Sequence, residues 1–410
     1  MLELFRVIAN EWMKLLRRKR LWVAGILMLV TVALYGVTEY HSHQAALNNR
    51  PEKQLTIVEQ NLSDIKAHPK SDPNYQQDVQ SLQQQIATLK VEVAAEKPGS
   101  DWKTPLQQEK KADLAQMNQV PAGERASSPT WNYMQGQLMT INYQLQHNVR
   151  PLQPWQLSPY GEMMQYLAVA AMLFLPLVVA ILVADMVAGE ATEGTIKLLL
   201  VRPVSRAKIL LGKWITSLFV SALATALTGA ALWAVGVAIL GNVGANQPIA
   251  VGSGVNMIHQ VVAGPLVSGS TYNASTGMLV FQTYTHATVI PMWHYVLTGL
   301  ALTVFAMLAV ATVTFLCSTI FRSTMASTGV SLGLVIIGFV VAQMAIHVKW
   351  LVWLFFPVHL ALFTNWAGQL SQEAQMNAPL GLGMLVLSVW GVLSLGVSLV
   401  YFSKRDILNA

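Results

Sequence analysis

Charge is scarce in this 410-residue chain, at 11% against 53% hydrophobic residues, so its placement is informative. The densest gathering is Asp185 to Lys213, between two apolar runs, with Glu190, Glu193, Lys197, Arg202, Arg206, Lys208 and Lys213. Acids early and a base later complement a helix dipole, so 190–201 reads as one short helix. Gly189 and Gly194 permit tight turns, and Pro203 stops the helix. Leu198, Leu199 and Leu200 give it an apolar side for a bilayer surface or a partner. The chemistry this pattern offers is docking by charge and shape, with no bond made or broken.

The residue sets needed for catalysis are missing. Gly212-Lys213 is followed by Trp214, and Ala207 stands where a phosphate-cradling loop needs Gly, so there is no Walker A sequence. No Gly-x-Ser-x-Gly or His-Glu-x-x-His occurs. The single Cys317 lies in an apolar run and excludes a disulfide or a Cys-based metal site. The nine His residues are scattered over outer regions and borders. Only His41-x-His43 has even a weak ligand spacing, so no metal site is expected.

These residues must be positioned by membrane helices. Phe5, Ile8, Trp12 and Leu15 recur at three- and four-residue steps, with Arg6, Lys14 and Arg17 off that face. Segment 1–20 is therefore an interfacial amphipathic helix, with Trp12, Arg17, Arg18, Lys19 and Arg20 as its membrane-interface residues. Apolar runs at 21–39, 163–185, 214–240, 293–321, 328–348 and 380–402 are long enough to cross a bilayer. Pro176 predicts a kink in the second. Ser217, Ser221, Thr225 and Thr228 line one side of the third and read better as helix-packing groups than as a translocation path. Segment 350–366 is apolar but short and Pro-interrupted, which predicts a re-entrant or interfacial element. The loop at 186–213, the turn 322–327, the tail 403–410 and segment 1–20 hold 14 of the 26 Lys and Arg. That bias places both termini in the cytoplasm.

Two stretches lie outside these runs. Segment 40–162 is polar, and three narrow apolar seams run through it. They are Leu55, Val58, Leu62, Ile65; then Val79, Leu82, Ile86, Leu89, Val93; then Trp131, Met134, Leu138, Ile141, Leu145. Such seams pair helices side by side, so a helical, coiled-coil-like extracytoplasmic insertion is expected. Segment 241–292 has no Lys, Arg, Asp or Glu and reads as an outer loop with a short hairpin in 278–290. The fold class is therefore an all-α membrane protein of six transmembrane helices. The net charge of +6 sits beside the spans and is no nucleic-acid signal.

The inner loop resembles that of the type-2 ABC exporter permeases. The shared order is an acid (Glu190), then Glu193-Gly194-Thr195, the Leu-rich turn, Pro203-Val204-Ser205-Arg206, and Gly212-Lys213 opening the next span. In that family the short helix is the coupling helix, which docks on an ATPase subunit. The resemblance thus implies coupling roles for Glu190, Glu193, Gly194, Thr195, Leu199, Arg202, Pro203 and Arg206, and it makes segment 1–20 the elbow helix. It implies two copies of a cytoplasmic ABC ATPase and a second permease, identical or homologous, in a bacterial plasma membrane. ATP and Mg would sit on the ATPase, with no cofactor and no enzymatic activity on this chain. Two alternatives stand beside export. One is a non-transporting signalling or mechanotransmission subunit working through 40–162. The other is an autonomous ion-coupled carrier, which spans almost free of ionisable residues argue against. No residue identifies the cargo.

Overall fold

The computed structural model describes residues 2–16, 18–67, 75–97, 99–194, 205–259, 266, 270–273, 276–345 and 348–404. It is an all-α membrane protein: six helical stretches are long and apolar enough to cross a bilayer. They include α2 (Lys19–Asn48), α10 (Arg206–Leu240), α11 (Met292–Ile320), α12 (Thr324–Ala345) and α16 (Leu380–Lys404). The remaining one, Phe174–Thr192, runs through α8 (Phe174–Val183) and α9 (Ala188–Thr192), and α7 (Pro159–Met172) leads into it. An amphipathic α1 (Leu2–Leu16) precedes them and packs on α10.

The broken stretch is the axis of the bundle. Its apolar window is 78% buried, against 17% in α2 and 22% in α12, whose outer faces are left for lipid. It packs against α2, α10, α11 and α12. The expected kink at Pro176 is a full break three residues earlier, at Leu173 (φ −130°, ψ −61°). Proline lacks the N–H that would bond the Met172 carbonyl, and its ring crowds that carbonyl. The hydroxyls of Ser217, Ser221, Thr225 and Thr228 are buried on α10, each donating to the carbonyl four residues back. They line a helix-packing face.

α2 continues nine residues past the 21–39 expected for the first span. Thirty residues make a rod of about 45 Å, against roughly 30 Å of hydrocarbon. It leads into α3 (Pro51–Ala67) and α4 (Tyr75–Glu96), which pack on each other. In α4 the seam residues Val79, Leu82, Ile86, Leu89 and Val93 are half-buried while most of their neighbours are exposed. α5 (Lys103–Asn118) and α6 (Pro129–His147) follow. Ser128 caps α6 by accepting from the Trp131 amide, and Asn148 ends it in the left-handed region (φ 54°). The α6 seam does not face another helix alone: α6 packs on α5 and on three β-strands. Gly136 is required there, since a Cβ would come within 2.7 Å of the Tyr284 ring.

The expected hairpin in 278–290 is corrected. Both stretches are strands, but they belong to different sheets. β1 (Pro248–Val251) pairs antiparallel with β5 (Thr288–Pro291), while β2 (Gly254–His259), β4 (Met278–Thr283) and β3 (Ser270–Asn273) form a second sheet in that order. Between α12 and α16 come α13 (Lys349–Leu354), a 3₁₀ turn (Phe356–His359), α14 (Leu362–Trp366) and α15 (Gln369–Glu373), each too short to cross. Buried His359 ties them: its Nε2–H donates to the Val352 carbonyl (2.7 Å) and its Nδ1 accepts from Asn365 (3.0 Å).

Candidate functional site at the charged end of the bundle

α1, α9 and the α11–α12 turn meet at one end of the bundle, opposite the sheets. Four side chains form a closed ring there. Lys213 of α10 bridges Glu11 of α1 and Glu190 of α9, at 2.8 Å to each. Lys14 bridges the same two acids, at 3.2 Å and 2.9 Å. Signs alternate around the ring, so each charge has two opposite neighbours. Glu11, Lys213 and Glu190 are all but fully buried (2%, 1% and 3% exposed), a placement only paired ions tolerate. Burial alone would raise the Glu11 carboxyl. The Lys213 ammonium, and then Lys14, outweigh it and hold the pKa below the ordinary 4.5. Burial would lower Lys14, yet the hydrogen bond to Glu190 and the charge of Glu11 leave it above 10.5.

A second junction lies one turn away. Arg18 contacts the Asp185 carboxylate at 2.8 Å, with the Arg20 Nε at 3.5 Å. Arg20 also donates to the Thr328 hydroxyl at 2.8 Å. The Val187 and Ala188 amides, orphaned at the start of α9, donate to Ser318 Oγ of α11 at 2.9 and 3.2 Å. Ser327 of α12 donates to the Ala184 carbonyl at 2.5 Å, and the Thr324 amide donates to Thr192 Oγ1 at 3.1 Å. Residues 184–192 are thereby bonded to α1, α2, α10, α11 and α12.

The sequence-predicted residues divide into three groups. Thr195, Leu199, Arg202, Pro203 and Arg17 lie outside the described residues. Glu193, Gly194 and Arg206 are exposed at the rim, where Arg206 reaches the Ser403 carbonyl (3.4 Å). Glu190 is inside the ring, so it presents no surface to a second protein. Of the interface residues, Lys19 is exposed, Arg18 and Arg20 are committed to Asp185, and Trp12 sits edge-on to Phe219 at 5.2 Å. Of the single helix expected over 190–201, residues 195–201 lie outside the described residues; in the described part α9 ends at Thr192 and Gly194 takes φ +69°. Gly189 lies inside α9 and makes no turn. Glu11 and Lys14 went unrecognised as site residues. The available signal was an acid and a base three apart in a helix whose other charges, Glu3 and Arg6, lie near its start.

This arrangement ties residues 184–192 to the helices around them by ion pairs and hydrogen bonds. No group of three or more His, Cys, Asp or Glu able to hold a metal occurs among the described residues. No curated protein matches the chain. A family model described as ABC-2 family transporter protein matches residues 5–407, nearly the whole length, and the chain belongs to that family of membrane permease subunits.

Proposed function

We propose that this chain is the membrane half of an ATP-driven exporter, powered through the loop after α9. The observation that carries the reading is the bonding of residues 184–192 to five helices. The charged end faces the cytoplasm, as the excess of bases there supports. Two ATPase subunits, holding ATP and Mg, dock on the exposed Glu193–Gly194 rim and the residues beyond it, and a second permease completes the pair. This chain hydrolyses nothing itself. A push on the rim passes through Glu190 to α1 and α10, through Thr192 to α12, and through the Ser318 contact to α11. Tilting these helices together would open the path for cargo outward.

The test is Glu193→Arg in the complex purified from its own membrane. The side chain is exposed, so folding should be untouched. The ATPase subunit should co-purify weakly, and ATP turnover should fall by about tenfold, the effect of 1.4 kcal/mol lost at one charged contact. Unchanged turnover and unchanged co-purification would remove this rim from the mechanism.

One observation favours mechanotransmission as a second reading. α2 is unbroken from the charged end to the α3–α4 hairpin, so the same stroke has a stiff route to the outer segment.

A further inference from the structure

A cavity of about 230 Å³ lies where the break in the second span meets the short helices after α12. Pro176 forms one wall, Cys317 of α11 another, and Phe356 with Trp390 closes the far side. Along α12 the lining runs from Ser331 to Val341, ten residues or about 15 Å, so the space is long and narrow. No ionisable residue other than Cys317 lines it. Its few polar groups, Thr314, Cys317 and Ser331, all sit toward the charged end. Leu334 and Ile337 at its edge are 50% and 61% exposed, so it opens sideways, onto the surface that six spans give to lipid. Walls of this kind hold water poorly and hydrocarbon well.

Charge marks one end of this space. Thr328, one helical turn before Ser331, carries the Arg20 guanidinium at 2.8 Å. Arg322, five residues beyond Cys317, is exposed in the α11–α12 turn. Arg20 is already paired with Asp185, so the exposed Arg322 of this turn is the guanidinium open to a headgroup if a chain filled the cavity, and guanidinium pairs well with phosphate. We propose that the cavity is a site for one acyl chain of an anionic phospholipid, with its phosphate drawn to the exposed Arg322. The chain would wedge against the Leu173 break, so lipid composition would bias how the second span bends. The proposal needs only that the six helices cross a bilayer and does not depend on the ATPase reading.

The test uses the full chain in nanodiscs containing phosphatidylglycerol with a photoreactive diazirine midway along one acyl chain. Adducts mapped by mass spectrometry should concentrate on 310–317 and 331–341, severalfold above those at the lipid-facing Leu385 and Val392 of α16. Val335→Trp, which fills the cavity, should bring them down to the level of Val392. Ser331→Phe serves if that variant misfolds. A phosphatidylcholine probe with the same tail should label the cavity severalfold less, and Arg322→Gln should narrow that difference. Adducts spread evenly over the lipid-facing helices would overturn the site. Equal labelling by the two headgroups would overturn its preference for anionic lipid.

Discussion

Lys213 is the residue on which the charged end depends. It lies seven residues inside α10, is 1% exposed, and is the one cation touching both Glu11 and Glu190 from the spans. Removing a single partner from a buried ion set leaves an uncompensated charge, which costs about 3–5 kcal/mol. Lys213→Met should therefore lower the melting temperature of the purified chain sharply. Adding Glu190→Gln should restore part of the loss, because Glu11 and Lys14 then remain as a neutral pair. A double variant no more stable than Lys213→Met would show that the ring is not a coupled unit. None of this was legible in the sequence. Lys213 was read only as part of the Gly-Lys that opens the third span, and nothing in a single chain says that residue 11 meets residue 213. The exposed rim was easier to read, because Glu193 and Gly194 belong to a contiguous motif whose spacing carries its own meaning.

At the scale of elements, the ring is a joint between α1, α9 and α10, and its strength depends on pH. The Glu11 pKa is held below 4.5, so its contribution is complete above that value and lost as pH falls through the lower folded value. The Lys14 pKa is held above 10.5, so its contribution is complete below that value and lost as pH rises through the higher folded value. A spin-label distance between positions 13 and 193, both exposed, should stay constant between these limits and broaden outside them. Broadening near pH 7 would place the joint elsewhere. Other elements were legible in proportion to how locally they are specified. The seams of α3 and α4 follow one helical period, and period survives in sequence. Two strands were read within 278–290, but not their partners: β4 pairs with β2 and β3, and β5 with β1, pairings that no local pattern specifies. The α6 seam was found, but its partner was not, since a half-buried helical face looks the same against a sheet as against a helix.

One continuous rod, α2, joins the charged end of the molecule to the α3–α4 hairpin. α2 begins beside the Arg18–Asp185 contact and ends at Asn48, two residues before α3 packs on α4. At the base of the hairpin, Trp155 donates to Glu96 (2.6 Å), Arg50 lies over the Trp155 ring (4.6 Å) and Arg150 donates to the Ala95 carbonyl (2.6 Å). The hairpin is thus fastened at its foot, and tilting α2 should tilt it as a body. Gln44→Pro tests this connection. Residue 44 is exposed, lies past the length of α2 that hydrocarbon covers, and proline there removes one helical bond and kinks the rod at about 3 kcal/mol. With wild-type protein in complex with its ATPase, ATP should change hydrogen exchange in residues 51–96. With Gln44→Pro that response should vanish while ATP turnover persists, since the charged end is untouched. If ATP leaves exchange in 51–96 unaltered in the wild type, α2 transmits nothing outward, and the hairpin is a passive neighbour of the export path.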